Sequence, residues 1–261
     1  MPLTPPTLPL TLPTRTSSLL DQLLALRPQG RKALAVLLDP DDFAPAALHH
    51  LVGQTAEHPI DFFLVGGSLV QTAHQAALLA LLRAEAPRVP VLLFPSHALH
   101  VDPAADGLLL LSLISGRNPD FLIGQHVVAA PALARSGLQI LPTGYLLVDS
   151  GRPTTASYMS GTAPLPADKP GIAAATALAG EQLGLRLTYL DGGSGALHPV
   201  PAPLIRAVRA AVQTPLIVGG GLNSGEKIRL ALAAGADVVV VGNHLSANPG
   251  FLAEAVSVVN R

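Results

Sequence analysis

The sequence predicts a single (β/α)8 barrel. Eight short runs recur along it, each apolar throughout rather than alternating, the pattern of parallel strands buried on both faces. Ala- and Leu-rich stretches with helical spacing lie between most of them. The length of 261 residues matches the roughly 250 that such a barrel takes.

Residues 1–15 are rich in Pro, Thr and Leu. They lack the basic start and unbroken apolar core of a signal peptide. They read as a flexible extension of a cytoplasmic protein, with the barrel domain spanning 16–261. The strand candidates are 33–39 (ALAVLLD), 61–65 (DFFLV), 89–94 (VPVLLF), 107–113 (GLLLLSL), 139–148, 187–191 (LTYLD), 215–218 (PLIV) and 237–241 (DVVVV). Helical spacing marks 69–85, 168–183, 203–212 and 225–234. Strand and helix repeated in this way close into a barrel. An open doubly wound sheet is the alternative, but the dinucleotide fingerprint after the first strand is absent.

Two irregularities stand out. About a dozen residues, including Pro95 and Pro103, separate the third strand from the fourth, and a full covering helix hardly fits there. Either a short loop covers that side, or the bare barrel face is a groove for a long apolar ligand. The segment 149–167 is rich in Gly, Ser, Thr and Pro, as in the long loops that act as lids on a catalytic face.

Composition excludes several classes. The net charge is −1 and the only dense basic segment is Arg31-Lys32, which leaves no nucleic-acid footprint. No cysteine is present, so disulfides and thiolate metal sites are excluded. The nine histidines are scattered without HExxH spacing, against a zinc site. No run approaches the roughly 18 apolar residues of a membrane span.

Three Gly-rich strand ends carry the strongest chemical signal. The sixth strand ends in Tyr189-Leu190-Asp191-Gly192-Gly193-Ser194-Gly195, the seventh in Gly219-Gly220-Gly221, the eighth in Gly242-Asn243. Glycine lets main-chain N–H groups approach a phosphate closely, and barrels often bind phosphate after strands seven and eight. The alternative is turn formation alone. Asp191 is either a turn-capping carboxylate or a base that takes a hydroxyl proton from the bound substrate. Tyr189 either fills the barrel or joins Asp191 in catalysis. At the other side, Asp39 in LLDPDD and Ser68 in VGGS stand on adjacent strand ends, where a carboxylate and a hydroxyl can share one Mg²⁺ that bridges phosphate oxygens. The bland reading of Asp39-Pro40-Asp41 is a charged turn.

These residues together resemble the geranylgeranylglyceryl phosphate synthase family, which includes heptaprenylglyceryl phosphate synthases, and in particular its branch with bacterial members. The motifs are LLDPDD, VGGS, LFP, SLISGRNPDFLIGQHV, PTGYLLVD, PLPADKPGIAAATALAGEQLG, YLDGGSGA, IVGGG and VVGN. The resemblance implies a barrel with a missing or irregular third outer helix and an apolar groove for a prenyl chain. It implies transfer of a prenyl group, geranylgeranyl above all, from its diphosphate to the 3-hydroxyl of sn-glycerol 1-phosphate. Carried over by motif, Asp39 and Ser68 match the Mg²⁺ positions. Residues 189–195, Gly220, Gly221, Gly242 and Asn243 match the glycerol phosphate positions. A homo-oligomer, and a transient membrane contact for product release, are further implications. Three positions depart from the family: Asp191 where many relatives carry Glu, Asp42 where they often carry Lys, and Ser96 where they often carry Gly.

Two rival readings remain. One is a barrel isomerase of the sugar-phosphate type, with an acid and a base at opposite strand ends and no long groove. The other is a phosphometabolite-binding barrel without turnover. Arg117 reads either as a helix-cap ion pair or as a diphosphate partner.

Overall fold

The computed structural model describes residues 18–42, 45–67, 74–97, 100–242, 244–248 and 250–260. The N-terminal extension, Ser68 and Asn243 therefore lie outside the described residues. Eight parallel strands close on themselves in sequence order: β1 Ala33–Leu38, β2 Phe62–Gly66, β3 Val91–Phe94, β4 Gly107–Leu113, β5 Gln139–Leu147, β6 Leu187–Asp191, β7 Leu216–Gly219 and β8 Val238–Val241. Strand β8 returns to β1 with Ala33 opposite Val238. The predicted barrel is the observed one.

Apolar runs along both faces create two separate cores. Outward residues such as Val36, Phe63, Leu93, Leu190, Val218 and Val239 pack beneath the helices. Inward residues two apart, such as Leu187 with Tyr189 and Val238 with Val240, fill the barrel. Because side chains alternate along a strand, Tyr189 and Asp191 share the inward face. The outer layer comprises α2 Pro45–Gln54, α3 His74–Glu85, α4 Gln125–Ser136, α6 Pro170–Gln182, α7 Ala202–Ala211, α8 Gly225–Ala233 and α10 Phe251–Val259, with the single turn α9 His244–Ala247 after β8. A π-helical turn, Asp120–Gly124, runs into α4. No helix is described between β3 and β4, as the spacing predicts.

One helix precedes the first strand, outside the predicted strand–helix alternation. Leu19–Leu26, α1, begins at Ser18, whose hydroxyl accepts the Asp21 N–H. Its Leu19, Leu23 and Leu26 recur at helical spacing and are buried in the barrel-interior core. They close the N-terminal end of the barrel. The Leu19 N–H donates to Gln139 Oε1 at 2.6 Å, tying α1 to the start of β5.

A repeated device sets the strand starts. Asp61, Asp106 and Asp237 each directly precede a strand. Each accepts the main-chain N–H of a strand earlier in sequence: Leu34 at 2.9 Å, Val91 at 2.8 Å and Leu216 at 2.9 Å respectively. Asp237 is 1% exposed and is neutralised by Arg209 at 2.8 Å, and Asp106 by Arg83 at 2.9 Å. Buried carboxylates at this end are paired, as burial demands. The runs 61–65 and 237–241 thus each begin one residue early, since their first Asp caps a neighbour. The run 89–94 likewise begins at Val91, since Pro90 has no N–H to give the ladder; its carbonyl still accepts from Phe63.

The segment 149–167 crosses the opposite, C-terminal mouth. Val148 and Leu165 form a parallel bridge at its base. Between them lies α5, Thr155–Ser160, held by a reciprocal capping box between Thr154 and Ser157. Among the described residues no helix is long and apolar enough to cross a membrane.

Candidate active site

Two cavities open at the C-terminal mouth and share Gly67 and Phe94. The larger, about 510 Å³, runs down the side that lacks a covering helix. Leu108, Leu110, Ala129, Leu133 and Phe121 line it, and Met159 of α5 roofs it. The smaller, about 300 Å³, lies over the barrel axis. It gathers Asp39, Tyr189, Asp191, Gly193, Ser194, Gly195, Gly220, Gly221 and Gly242. The structure therefore brings together the carboxylate of the first strand end and the Gly-rich ends of the last three. Leu190 points outward into the helix-facing core, and neither it nor Gly192 lines the cavity. Their main chains still shape it.

The glycines have steric reasons. Gly193, Gly195, Gly220 and Gly221 all have positive φ, from 69° to 84°, a region costly for any residue with a Cβ. A Cβ on Gly220 would stand 2.6 Å from the Gly192 nitrogen and 2.7 Å from Asp191 Oδ1. Gly220 is thus required for the β6 and β7 ends to meet. The main-chain N–H groups of Gly220 and Gly221 have no acceptor among the described residues. Unpaired amides at a concave Gly turn form an anion-binding nest.

Asp191 is 7% exposed and both its oxygens are engaged. Oδ2 accepts the Tyr145 hydroxyl at 2.5 Å and Oδ1 accepts the Gly193 N–H at 2.7 Å. The turn-capping role is therefore present. Burial raises its pKa, and the two hydrogen bonds partly oppose that rise. A carboxylate with a raised pKa is a stronger base, so capping does not exclude proton transfer. Burial and the adjacent Asp191 charge push the Tyr145 and Tyr189 phenols upward. Both stay protonated at neutral pH.

Sequence reasoning missed Phe94 and Tyr145. Their rings and that of Tyr189 form one cluster, with centroids 5.4 to 6.0 Å apart. This aromatic wall separates the apolar groove from the polar cup. Inward alternation along β5, read from Leu141 to Tyr145, was the available signal.

Asp39 sits on the far side of the cup. Its Oδ1 accepts the Asp41 N–H at 3.0 Å. A Cβ on Gly67, just after β2, would lie 2.2 Å from its Oδ2, so any side chain there would push this carboxylate from its place. Burial raises its pKa, and the charges of Asp42 and Asp41 add to that. A half-buried carboxylate with two acidic neighbours is a hard oxygen donor set that fits a Mg²⁺ ion retaining waters. Among the described residues no group of three or more His, Asp or Glu side chains gathers as a full ligand cage. Arg117 is exposed, has φ 54°, and lines neither cavity.

Comparison with known proteins agrees with this geometry. The PcrB family model matches residues 30–259. The chain is 60% identical over 230 residues to the geranylgeranylglyceryl phosphate synthase of Spirosoma linguale, covering 88% of this chain and 92% of that protein. It is 39% identical over 228 residues to the synthase of the same name from Korarchaeum cryptofilum, covering 87% and 93%. Among solved structures, (S)-3-O-geranylgeranylglyceryl phosphate synthase of Thermoplasma acidophilum, in complex with its substrate sn-glycerol-1-phosphate, superposes with a TM-score of 0.86. That similarity is 26% identity over 93% of this chain and 98% of that one.

Proposed function

From the premise that the chain belongs to the PcrB family, we propose that it transfers a prenyl group from its diphosphate to the 3-hydroxyl of sn-glycerol 1-phosphate. The product is an ether-lipid precursor. One observation carries the reading: an apolar groove and a Gly-lined polar cup meet at an aromatic wall, with Asp191 at the meeting point. A sugar-phosphate isomerase has no use for such a groove.

The chain's residues have distinct tasks in this reaction. The amides at Gly220 and Gly221, with Gly193, Ser194, Gly195, Gly242 and Asn243, hold the substrate phosphate. That fixes the free hydroxyl against the aromatic wall, a positioning effect. The bond from the allylic carbon to the diphosphate oxygen breaks, and its electron pair leaves with diphosphate. The glycerol oxygen forms the new bond to that carbon, and its proton passes to the Asp191 carboxylate. Tyr145 and Gly193 hold that carboxylate in place, while Tyr189 walls the hydroxyl side. The ring faces of Phe94 and Tyr145 exclude water and favour the positive charge that develops on the allylic carbon. Asp39, with Ser68, would hold Mg²⁺, which when bound neutralises charge on the leaving diphosphate.

The test is one incubation of sn-glycerol 1-phosphate, radiolabelled geranylgeranyl diphosphate and Mg²⁺, followed by organic extraction. An extractable labelled ether is the expected result. Binding of both substrates without product would make the chain a phosphometabolite-binding barrel instead.

A further inference from the structure

A chain that takes two phosphorylated substrates must balance their negative charge. Among the described residues lining the two cavities there is no lysine or arginine. The carboxylates of Asp39 and Asp191 add negative charge to the same space. The protonatable bases lining these cavities are histidines, and two of them stand together. His97 and His100 follow β3 and line the groove beside Ser96, Pro95 and Phe94. Phe94 and Gly67 are also the residues shared with the cup, and Asp39 abuts Gly67. The pair therefore stands where groove, cup and Asp39 converge, the place at which a diphosphate joined to a chain in the groove must lie.

We infer that His97 and His100 are the side-chain cradle for the diphosphate of the prenyl substrate. This rests on the function proposed above and names the group that neutralises the leaving anion beside the metal.

The local geometry suits the role. The two rings are 6.2 Å apart between centroids, edge to face, so both imidazoles can address one multi-oxygen anion. Ser96 Oγ lies 3.4 Å from His100 Nδ1, which leaves the His100 Nε2 side for a ligand. The charges acting on His100 are His97 from its own segment and Asp41 from the turn after β1. Burial and then His97 lower the His100 pKa, while Asp41 raises it. Free of ligand, His100 is held toward its neutral form. A bound polyanion favours the imidazolium, so binding takes up protons and weakens as pH rises. The same wiring gives Ser96 a purpose. A glycine there would leave His100 Nδ1 without that neighbour.

Calorimetry with inorganic pyrophosphate plus Mg²⁺, and separately with sn-glycerol 1-phosphate, tests this on the full chain. His97→Gln and His100→Gln should each lose about ten-fold in pyrophosphate affinity near pH 6.5, the scale of one charge-assisted hydrogen bond. Glycerol phosphate affinity should stay within about two-fold, which also reports an intact fold. The double variant His97→Lys with His100→Lys, with a fixed charge, should bind pyrophosphate at pH 8.5 as tightly as at pH 6.5, whereas wild type weakens. Unchanged pyrophosphate affinity in the Gln variants overturns the inference, and so do equal losses for both ligands. Absence of ether product from the wild-type protein would instead strike the proposed reaction, a separate readout.

Discussion

Replacing Asp191 by Asn is the sharpest test of the proposed chemistry, because the structure says what the substitution leaves alone. The Gly193 N–H at 2.7 Å needs an acceptor, so the Asn carbonyl oxygen must stay on that side. Its amide NH₂ then faces the Tyr145 oxygen, 2.5 Å from Oδ2 in the native chain, and the phenol hydroxyl can rotate to accept. Shape and both contacts survive, while the proton acceptor is lost. Loss of general-base assistance is worth about 10²- to 10⁴-fold in kcat, or roughly 3 to 5 kcal/mol of barrel-mouth catalysis. Phosphate affinity should hold or improve, since a buried negative charge beside the phosphate disappears. Stability should respond with a definite sign. Burial raises the native pKa of Asp191 above its unfolded value, so its contribution is fully present below the unfolded pKa and lost as pH rises through the native one. The Asn variant lacks that loss and should gain stability relative to wild type at neutral and alkaline pH. Steady-state kinetics with saturating prenyl diphosphate, glycerol phosphate calorimetry and thermal melts at pH 5 and pH 8 make the measurement. A kcat within a few-fold of wild type would refute the base assignment and leave Asp191 as a turn cap only.

Other perturbations have equally definite outcomes. Tyr145→Phe removes a hydrogen bond that favours the Asp191 carboxylate, so the acidic limb of the rate profile should shift to higher pH; stability should fall by about 1.5 to 3 kcal/mol where Asp191 is charged, seen in denaturant melts. Chelation with EDTA should abolish product formation and Mg²⁺ should restore it. Asp39→Asn should raise the Mg²⁺ concentration needed for half-maximal rate, with glycerol phosphate affinity little changed. Leu23→Ala, at a side chain 2% exposed in the barrel plug, should cost about 2 to 5 kcal/mol with no change in KM for either substrate.

The barrel was legible because parallel strands buried on both sides are short, continuously apolar runs, here repeated eight times with helical stretches between most of them. All eight runs were found, and the strand ends differed by at most two residues, most often where an aspartate or a proline stood at the boundary. The Gly-rich ends were legible because positive φ and close approach leave few residues to choose from. Sequence alone hid the plug, although Ser18 and the spacing of Leu19, Leu23 and Leu26 carried the signal of a capped helix. It also hid the aromatic wall. Tyr145 and Tyr189 are register partners on the neighbouring strands β5 and β6, but Phe94 comes from β3, and only the curvature of the barrel brings its ring to theirs. The histidine pair was hidden for a related reason: its meaning depends on the absence of Lys and Arg from the surrounding wall, which is a property of a surface rather than of a motif.

The uncovered flank between β3 and β4 has a consequence for turnover. On the proposed reaction the substrate and the product carry the same hydrocarbon tail, and the apolar length of the groove of about 510 Å³, past the histidine pair at its mouth, touches only that tail. Its grip is therefore blind to whether the bond has been made. Each buried methylene contributes about 0.8 kcal/mol before and after chemistry alike, so the step that frees diphosphate does nothing to loosen the lipid. Discharge must be driven from outside, by an acceptor phase that solvates the chain as well as the groove does. In plain buffer such a chain would stall after its first cycle with the groove still filled, and added detergent micelles or vesicles would act as a sink that sets the steady-state rate.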